Sequence, residues 1–206
     1  MSRTAALKYI KTPASMRKNA GKEKRMLDIG PGATRISGFE TLNVTFGKNV
    51  DYLADASTRI PFPDRTFVLV HASHVLEHIP WYHLEDTVSE WVRVLEKGGK
   101  LEIWVPNGYK LAKFLVDIEN NVEREEWKDG WRPRSMGEDP YQWLNGRLLY
   151  GVRSDYPSWH QAILTPKSLM KLMEKAGLHE LQIMDESEVR SVPHGWINLG
   201  IRGTKI

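Results

Sequence analysis

The stretch RMLDIGPGATRISGFETLNV, from Arg25 to Val44, decides which fold the sequence predicts. It opens as a nucleotide-binding unit does, with an apolar run, an acidic residue and two glycines. Only about ten residues separate the glycines from the next apolar run, whereas parallel strands are normally joined by about a dozen residues or more, usually including a helix. Either the stretch is not such a unit, or its first strand connection has lost the helix.

Length and composition bound the class of protein. A chain of 206 residues fits one domain with at most a small subdomain, and it can bury roughly 70% of its unfolded surface. The absence of cysteine excludes disulfides, thiolate metal sites and cysteine nucleophiles, and it favours a reducing compartment. No apolar run approaches the roughly 18 residues of a membrane span, and no signal peptide is recognisable. We therefore expect a cytoplasmic protein without membrane contact.

Positive charge is concentrated at the N-terminus. Residues 1–25 contain eight Lys and Arg against one Glu, a charge of +7, whereas the rest of the chain sums to −4 within a net charge of +3. Residues 1–24 are therefore predicted to be a basic leader, and residues 25–206 the domain. The leader is either a solvated terminus or an arm that contacts phosphates or covers the substrate entrance.

Strand-like and helix-like runs alternate along most of the chain, which indicates a parallel sheet with helices on both faces. The last two strand-like runs flank a polar stretch with Pro193 and Gly195, as in an antiparallel pair. The sequence thus predicts an α/β fold of five parallel strands followed by a hairpin. The strand-like runs are 26–29, 40–44, 51–54, 67–72, 100–105, 178–184 and 196–202.

Two helices are marked most clearly. Residues 84–95 carry apolar side chains at three- and four-residue spacing, and the helix is predicted to stop at the Gly98-Gly99 pair. A later helix is predicted to begin with Thr165 as its N-cap and Pro166 at its first position, and to end at Gly177.

Residues 107–160 break the alternation and are rich in aromatic residues and arginine. Long connections of this kind are usually lids or binding loops, so we expect a lid on the substrate side of the domain. Its aromatic side chains either pack a small cap of their own or form a pocket wall. They are Trp127, Trp131, Trp143, Trp159, Tyr109, Tyr141, Tyr150 and Tyr156, with Arg124, Arg132, Arg134, Arg147 and Arg153.

Glycine or polar residues follow each of the first four predicted strands. Gly30 and Gly32 come after the first strand, Asn43 ends the second and Asp55 follows the third. The fourth strand runs into a polar loop within IPFPDRTFVLVHASHVLEHI, residues 60–79. Because ligands of open parallel sheets bind outside the carboxyl ends of the strands, these residues are expected to share one site.

This series of motifs closely resembles the class I S-adenosylmethionine-dependent methyltransferases, particularly the small predicted methyltransferases of bacteria and phages with PFPD, SHVLEH and double-glycine motifs. The resemblance covers residues 25–106 and, more weakly, the terminal helix and hairpin. It implies a Rossmann-like, seven-stranded, mostly parallel sheet with S-adenosyl-L-methionine as cofactor. Members of this subgroup commonly have a shortened connection after the glycine loop, which accounts for the missing helix.

The resemblance implies roles for the residues in these loops. Gly30, Pro31 and Gly32 would line the methionine moiety, while Asp28 would anchor their loop and reach the amino group directly or through water. Asp55 would accept a hydrogen bond from the adenine amino group. The full set of implied cofactor-binding residues is Asp28, Gly30, Pro31, Gly32, Asn43, Asp55, Ala56, Ser73, His74 and Leu76.

In the same resemblance, Ser73 and His74 would flank the methionine end and Leu76 would pack near the cofactor.

One position departs from the family, which normally has an acid at the end of the second strand to hold both ribose hydroxyls. This chain has Asn43 there, or one residue out of register. Replacing a charged acceptor by a neutral one weakens binding by about 1 kcal/mol, or several-fold in affinity.

Transfer of a methyl group from a sulfonium depends mainly on aligning the nucleophile, the methyl carbon and the sulfur. A hydroxyl acceptor would also need a general base, and the candidates are His74, His78 and His160. In the related motif the histidine after LE is often structural, so His78 is either a general base or a residue that holds the loop. His160 could equally be a lid residue without chemistry, and Glu77 is interpreted as an acceptor that stabilises the loop.

Two motifs that the sequence lacks restrict the range of possible methyl acceptors. The sequence has no N-P-P-Y-type tetrapeptide of exocyclic-amine nucleic-acid methylases, and no clustered metal ligands of the catechol-type enzymes, so no metal site is predicted. An aromatic, arginine-rich lid suits a carbohydrate or an anionic small molecule. The leading hypothesis is methylation of a small molecule or glycan at oxygen. A nucleic-acid or protein methyltransferase guided by the basic leader and a cofactor-binding module without turnover remain alternatives.

Overall fold

The computed structural model describes residues 23–123, 139–150 and 158–206. Most of the predicted leader, residues 1–22, lies outside this part of the chain, and its role stays a prediction. The same holds for several residues of the predicted lid, namely Arg124, Trp127, Trp131, Arg132, Arg134, Arg153 and Tyr156.

Seven strands form one sheet in the order β3-β2-β1-β4-β5-β7-β6. The first five pair in parallel, whereas β7 pairs antiparallel with both β5 and β6. This topology confirms the predicted fold class. The strands are β1 (Met26–Ile29), β2 (Glu40–Asn43), β3 (Tyr52–Leu53), β4 (Phe67–Ser73), β5 (Leu95–Pro106), β6 (Leu178–Met184) and β7 (Asn198–Lys205).

The connection between β1 and β2 contains no helix, and residues 30–39, all of which the structure describes, form two turns joined by an irregular loop. The backbone N–H of Gly30 donates to the Leu42 carbonyl at 2.8 Å. The guanidinium of Arg35, in the middle of the connection, pairs with Asp51 just before β3. The stretch is therefore a parallel unit with a shortened crossover, and the second of the two sequence alternatives is confirmed.

Four helices accompany the sheet in the described residues: α1 (Leu84–Arg93), α2 (Gly108–Glu119), α3 (Pro140–Asn145) and α4 (Pro166–Lys175). A π-helical turn, Gly146–Tyr150, follows α3. Helix α4 begins as predicted, because the Thr165 side chain accepts from the Ser168 N–H and Pro166 occupies the first turn. None of these helices is long and apolar enough to cross a bilayer.

The predicted end of α1 at the double glycine was wrong. The helix ends at Arg93, and Gly98 and Gly99 lie inside β5. The chain is drawn into the sheet early because the Val94 carbonyl accepts from the N–H groups of Thr66 and Phe67, at 2.7 and 2.9 Å. The pairing of β4 with β5 then shifts register, and a Cβ on Gly99 would lie only 3.1 Å from the Phe67 carbonyl oxygen.

The described part of the chain contains two clusters of buried hydrophobic residues. The main core packs α1 and α4 against the sheet, around the fully buried Trp91. The smaller cluster joins α2 and α3, where Trp143, 3% exposed, packs edge-on against Phe114 at 5.5 Å between ring centroids. Trp143 thus belongs to a cap with its own core, whereas Tyr109 and Trp159 of the same predicted lid are exposed.

Candidate active site

A cavity of about 360 Å³ lies at the carboxyl ends of β1 to β4. The chain runs from β1 outward to β2 and β3, and then returns to β4 on the other side of β1, so the cavity sits at a topological switch point. Its volume is in the range of small-molecule sites, about 300–1,000 Å³. Six of the predicted cofactor-binding residues line it: Gly30, Gly32, Asn43, Asp55, Ala56 and His74.

The glycine loop at the end of β1 has a backbone conformation that favours glycine at both positions. Gly30 and Gly32 have φ angles of +71° and +57°, which favour glycine. A Cβ on Gly30 would lie 2.3 Å from the Cγ2 of Val75, whereas a Cβ on Gly32 would meet no described atom within 4 Å. The first glycine therefore permits close packing of two loops, and the second leaves backbone open to a ligand.

Asp55 lies in a tight turn that uses only one of its two carboxylate oxygens for hydrogen bonds. Its Oδ1 accepts from the Ser57 backbone N–H at 2.9 Å and from the Ser57 hydroxyl at 2.6 Å. The structure gives Oδ2 no hydrogen bond from the described residues. The next residue, Ala56, is fixed from below because the buried indole of Trp91 donates to its carbonyl at 3.0 Å. The turn presents a rigid hydrogen-bond acceptor to the cavity.

Asn43 is the last residue of β2 and lines the cavity, at the position where the resemblance implies an acid. Its Oδ1 accepts from the Val44 N–H at 2.8 Å, and its Nδ2 lies 3.3 Å from the Thr45 hydroxyl. The side chain is therefore folded onto its own loop, and the local register of β2 is the one that places residue 43 at the site.

The four remaining predicted cofactor residues lie outside the cavity lining. Asp28 is buried and its Oδ1 lies 2.8 Å from the Nδ1 of His71 on β4. Ser73 hydrogen-bonds Ser191 through their hydroxyls. Pro31 and Leu76 are buried, Leu76 within the main core. The pairing with His71 fixes the end of β1 under the glycine loop, while a role for these four residues in cofactor binding stays a prediction.

The three predicted catalytic residues, which we call the histidine cluster (His74, His78 and His160), come close together. His78 lies edge-on to His160, with 5.0 Å between ring centroids. His74 and His78 both line the cavity, whereas His160 lines a separate small pocket together with Glu77. His160 comes from the segment before α4, far along the chain from the other two.

His74 occupies an unusual position at the end of β4. Its φ angle is +54°, which is rare for a residue with a Cβ. The ring stacks on His194, with centroids 3.9 Å apart, and its Nε2 lies 2.8 Å from the Asn198 Oδ1. Burial, and then the charges of His74 and Arg147, lower the pKa of His194 to about 3. The stacking partner is therefore neutral near neutral pH.

Glu77 lies at the centre of the histidine cluster and is 1% exposed. Burial by itself would raise the pKa of Glu77, but contact with His74 and the charges of the three histidines outweigh it and lower the pKa to about 2. The His74 Nδ1 lies 3.2 Å from the Glu77 Oε1, close enough for an ion pair but not aligned as a hydrogen bond. Burial also lowers the pKa of His160, against the opposing charge of Glu77.

Sequence analysis missed the remaining residues of the cavity wall. Most adjoin a motif and could have been found as its neighbours, but Ser158 is brought in only by the tertiary fold. His194 and the buried setting of Glu77 also had no local signal. The missed cavity residues are Ile29, Leu42, Val44, Thr45, Ser57, Val75, Ile79, Pro80 and Ser158.

These residues fit the cofactor that the resemblance implies, S-adenosyl-L-methionine. The open backbone at Gly32 suits the methionine moiety, and the remaining oxygen of Asp55 suits an exocyclic amine. Leu42, Val44 and Ile79 supply apolar wall for a purine ring. The histidine cluster then lies at one side of the cavity, where His74 and His78 contribute to its lining.

Comparison with known proteins supports the same assignment. The family model described as "Methyltransferase domain" matches residues 14–103. A possible histamine N-methyltransferase from Thermotoga maritima superposes with a TM-score of 0.53 and 18% identity, covering 92% of this chain and 86% of that one. An S-adenosylmethionine-dependent methyltransferase from Archaeoglobus fulgidus gives 0.53 and 16%, covering 93% and 92%. These two show a shared fold. Among curated proteins, none matches the chain.

Proposed function

We propose that this chain, which the methyltransferase-domain model matches over residues 14–103, is a class I S-adenosylmethionine-dependent methyltransferase that methylates an oxygen atom of a small molecule or glycan. The observation that carries the proposal is the composition of one cavity. Its wall combines the glycine loop and Asp55, which suit the cofactor, with His74 and His78, which suit activation of a hydroxyl.

The cofactor would lie across the carboxyl ends of β1 to β3. Asp55 would accept from the adenine amino group through Oδ2, and Asn43 would meet the ribose hydroxyls. Gly30 and Gly32 would let the backbone approach the methionine moiety. S-adenosylmethionine supplies an electrophilic methyl group on a sulfonium, and the residues of the cavity orient it.

The acceptor side requires a way to remove a proton, because a neutral hydroxyl is a weak nucleophile. The hydroxyl would lose its proton at the histidine cluster, and its oxygen would form a bond to the methyl carbon. The carbon–sulfur bond would break with its electron pair kept by sulfur, giving a methyl ether and S-adenosylhomocysteine. Alignment of the reacting atoms can contribute about 7–11 kcal/mol to such a step.

Exposed aromatic side chains beside the cavity support an acceptor with an apolar face, such as a sugar. Pro80 lines the cavity and is followed by Trp81 and Tyr82, which are 72% and 62% exposed. Trp159, which follows the cavity-lining residue Ser158, is 43% exposed. An anionic group on the acceptor would meet the arginines predicted for the lid.

The test is to incubate the purified chain with S-adenosylmethionine labelled in the methyl group and with fractionated lysate. We expect label in a small-molecule or glycan fraction, in a product that resists mild base, as a methyl ether does and a methyl ester does not. The wild type without lysate is the control for self-methylation. Label that disappears after nuclease or protease treatment would contradict the proposal and favour the alternative acceptors.

A further inference from the structure

The Glu77 carboxylate lacks a hydrogen-bonded partner in the described part of the chain. Both of its oxygens are buried, and neither accepts a hydrogen bond there. Removing an ionised carboxylate from water is costly unless a positive charge or donors compensate it. This structure therefore places an acceptor-only group where a cation would be stabilised.

The imidazoles of His78 and His160 lie close to the Glu77 carboxylate. Glu77, His78 and His160 each offer a ligand atom, and these atoms lie within 4.8 Å of one another. The Nδ1 of His78 lies 3.2 Å from the Trp159 carbonyl oxygen, and that of His160 lies 2.6 Å from the Arg147 carbonyl oxygen. A carbonyl can only accept, so Nδ1 carries the hydrogen in both rings and Nε2 keeps its lone pair when the ring is neutral. Histidines that bind metals are commonly held in this way through the other nitrogen.

The cluster is assembled by backbone hydrogen bonds, although its parts are distant in sequence. The N–H groups of Gln161 and Ala162 both donate to the Glu77 carbonyl, at 2.7 and 3.2 Å. The Gln161 side chain also donates to the His78 carbonyl at 2.7 Å. The segment that carries His160 is thereby attached to the turn that carries Glu77 and His78, so the three ligand groups are held near one another by the fold itself.

His74 contributes a further lone pair at the edge of this group. The Asn198 amide nitrogen donates to Glu186 at 3.1 Å, so its oxygen accepts from the Nε2–H of His74. In a neutral ring, Nδ1 then faces the Glu77 Oε1 with a lone pair at 3.2 Å. Two donors bound to one tetrahedral zinc ion at about 2.0–2.2 Å lie about 3.3 Å apart. The two groups already have the spacing of neighbouring ligands.

We propose that Glu77, His78 and His160 hold a divalent transition-metal ion, with His74 at its edge and one coordination position open toward the cofactor cavity. Two imidazoles and one carboxylate are the ligand set of catalytic zinc sites, which keep a position for water or substrate. The sequence predicted no metal site because no local spacing joins His160 to the SHVLEH loop. The proposal that a metal ion binds here rests only on the contacts of Glu77, His74, His78 and His160, and it does not depend on the methylation reaction.

The identity of the group that fills the open coordination position rests on the proposed function. The acceptor hydroxyl would bind the ion through oxygen and lose its proton to solvent, because a metal ion lowers the pKa of a bound hydroxyl group. The oxygen then takes the methyl carbon while sulfur keeps the electron pair of the broken bond. This replaces direct proton removal by a histidine with activation by the ion that the histidines hold.

The test uses the full chain without an affinity tag, treated with chelator and then titrated with Co²⁺ as an optical probe. We expect one Co²⁺ per chain with visible absorption bands, displaced by one equivalent of Zn²⁺. Loss of even an outer-shell partner reduces metal affinity by about 10- to 100-fold, so His160→Ala and Glu77→Gln should each lose at least that much. His179→Ala, which removes an exposed histidine from β6, is the matched control and should bind as the wild type does.

Folding of each variant is checked by thermal unfolding and by calorimetry with S-adenosylhomocysteine. Wild-type protein that binds this ligand but no Co²⁺ would overturn the metal site and leave the methyltransferase proposal intact. Co²⁺ binding that persists unchanged in folded His160→Ala and Glu77→Gln proteins would also overturn it. Conversely, Co²⁺ binding that these two variants lose would support the site even where methylation at oxygen has failed.

Discussion

Asp55 provides the sharpest test of the cofactor site, because its two carboxylate oxygens have different environments. Oδ1 receives two hydrogen bonds from Ser57, and Oδ2 is left for a ligand. In Asp55→Asn the amide oxygen can still accept from Ser57, but the amide nitrogen would then face the adenine amino group, donor against donor. Asp55→Ala removes both interactions.

We expect both variants to bind S-adenosylmethionine and S-adenosylhomocysteine at least about tenfold more weakly. A hydrogen bond to a charged group contributes about 1.5–3 kcal/mol, and about 1.4 kcal/mol corresponds to a factor of ten. Asp55→Asn should keep its unfolding temperature near that of the wild type, because the turn survives. Calorimetry gives the affinity, and thermal unfolding reports on the turn.

A matched control exists elsewhere in the chain. Asp185 forms the same turn, since its Oδ1 accepts from the Ser187 N–H at 3.0 Å and from the Ser187 hydroxyl at 2.6 Å, but it lies outside the cofactor cavity. Asp185→Asn should leave cofactor affinity unchanged. If Asp55→Asn bound either ligand as tightly as the wild type, Asp55 would be only a turn residue and the reasoning would be refuted.

Three further changes test other parts of the account. Asn43→Asp should strengthen cofactor binding several-fold by calorimetry, because it restores a charged acceptor worth about 1 kcal/mol more to the ribose hydroxyls; weaker binding would contradict this role. Trp91→Phe leaves the Ala56 carbonyl without its donor and should lower the free energy of unfolding by about 1–3 kcal/mol; an unchanged denaturation midpoint would contradict it. Burial would raise the pKa of Glu102, but Arg190 and Arg202 outweigh it and lower the pKa below 4.5. The ionised carboxylate therefore stabilises the fold above that pH. This stabilisation is lost as the pH falls through the pKa of the folded state. Thermal unfolding of Glu102→Gln should accordingly be flatter with pH below 4.5 than that of the wild type, and parallel curves would argue against this.

The sheet could be predicted because its signals are local. Apolar runs set the strands, and the cap at Thr165 set the start of α4. Asp55 and the glycine loop were recognisable because each directly follows a strand. The double glycine misled the helix assignment because Gly99 relieves crowding against the neighbouring strand and Gly98 adopts a φ of +78° inside β5, which only the sheet pairing reveals.

The acceptor side could be predicted only in part. His74 and His78 belong to one motif, but their approach to His160 depends on backbone hydrogen bonds between segments far apart in sequence. The burial that makes Glu77 unusual is likewise a property of the packed structure, since the same residue in an open loop would be a solvated acid. Local patterns therefore marked the candidates, while the tertiary contacts defined their chemistry.

The central claim is that the cavity at the switch point holds the methyl donor with its reactive end toward the histidine cluster. A crystal structure with S-adenosylhomocysteine tests it most directly. We predict the adenine amino group within hydrogen-bond distance of the Asp55 carboxylate and the sulfur on the side of His74 and His78. Ligand bound elsewhere, or bound in reverse with the adenine against the histidines, would contradict the account.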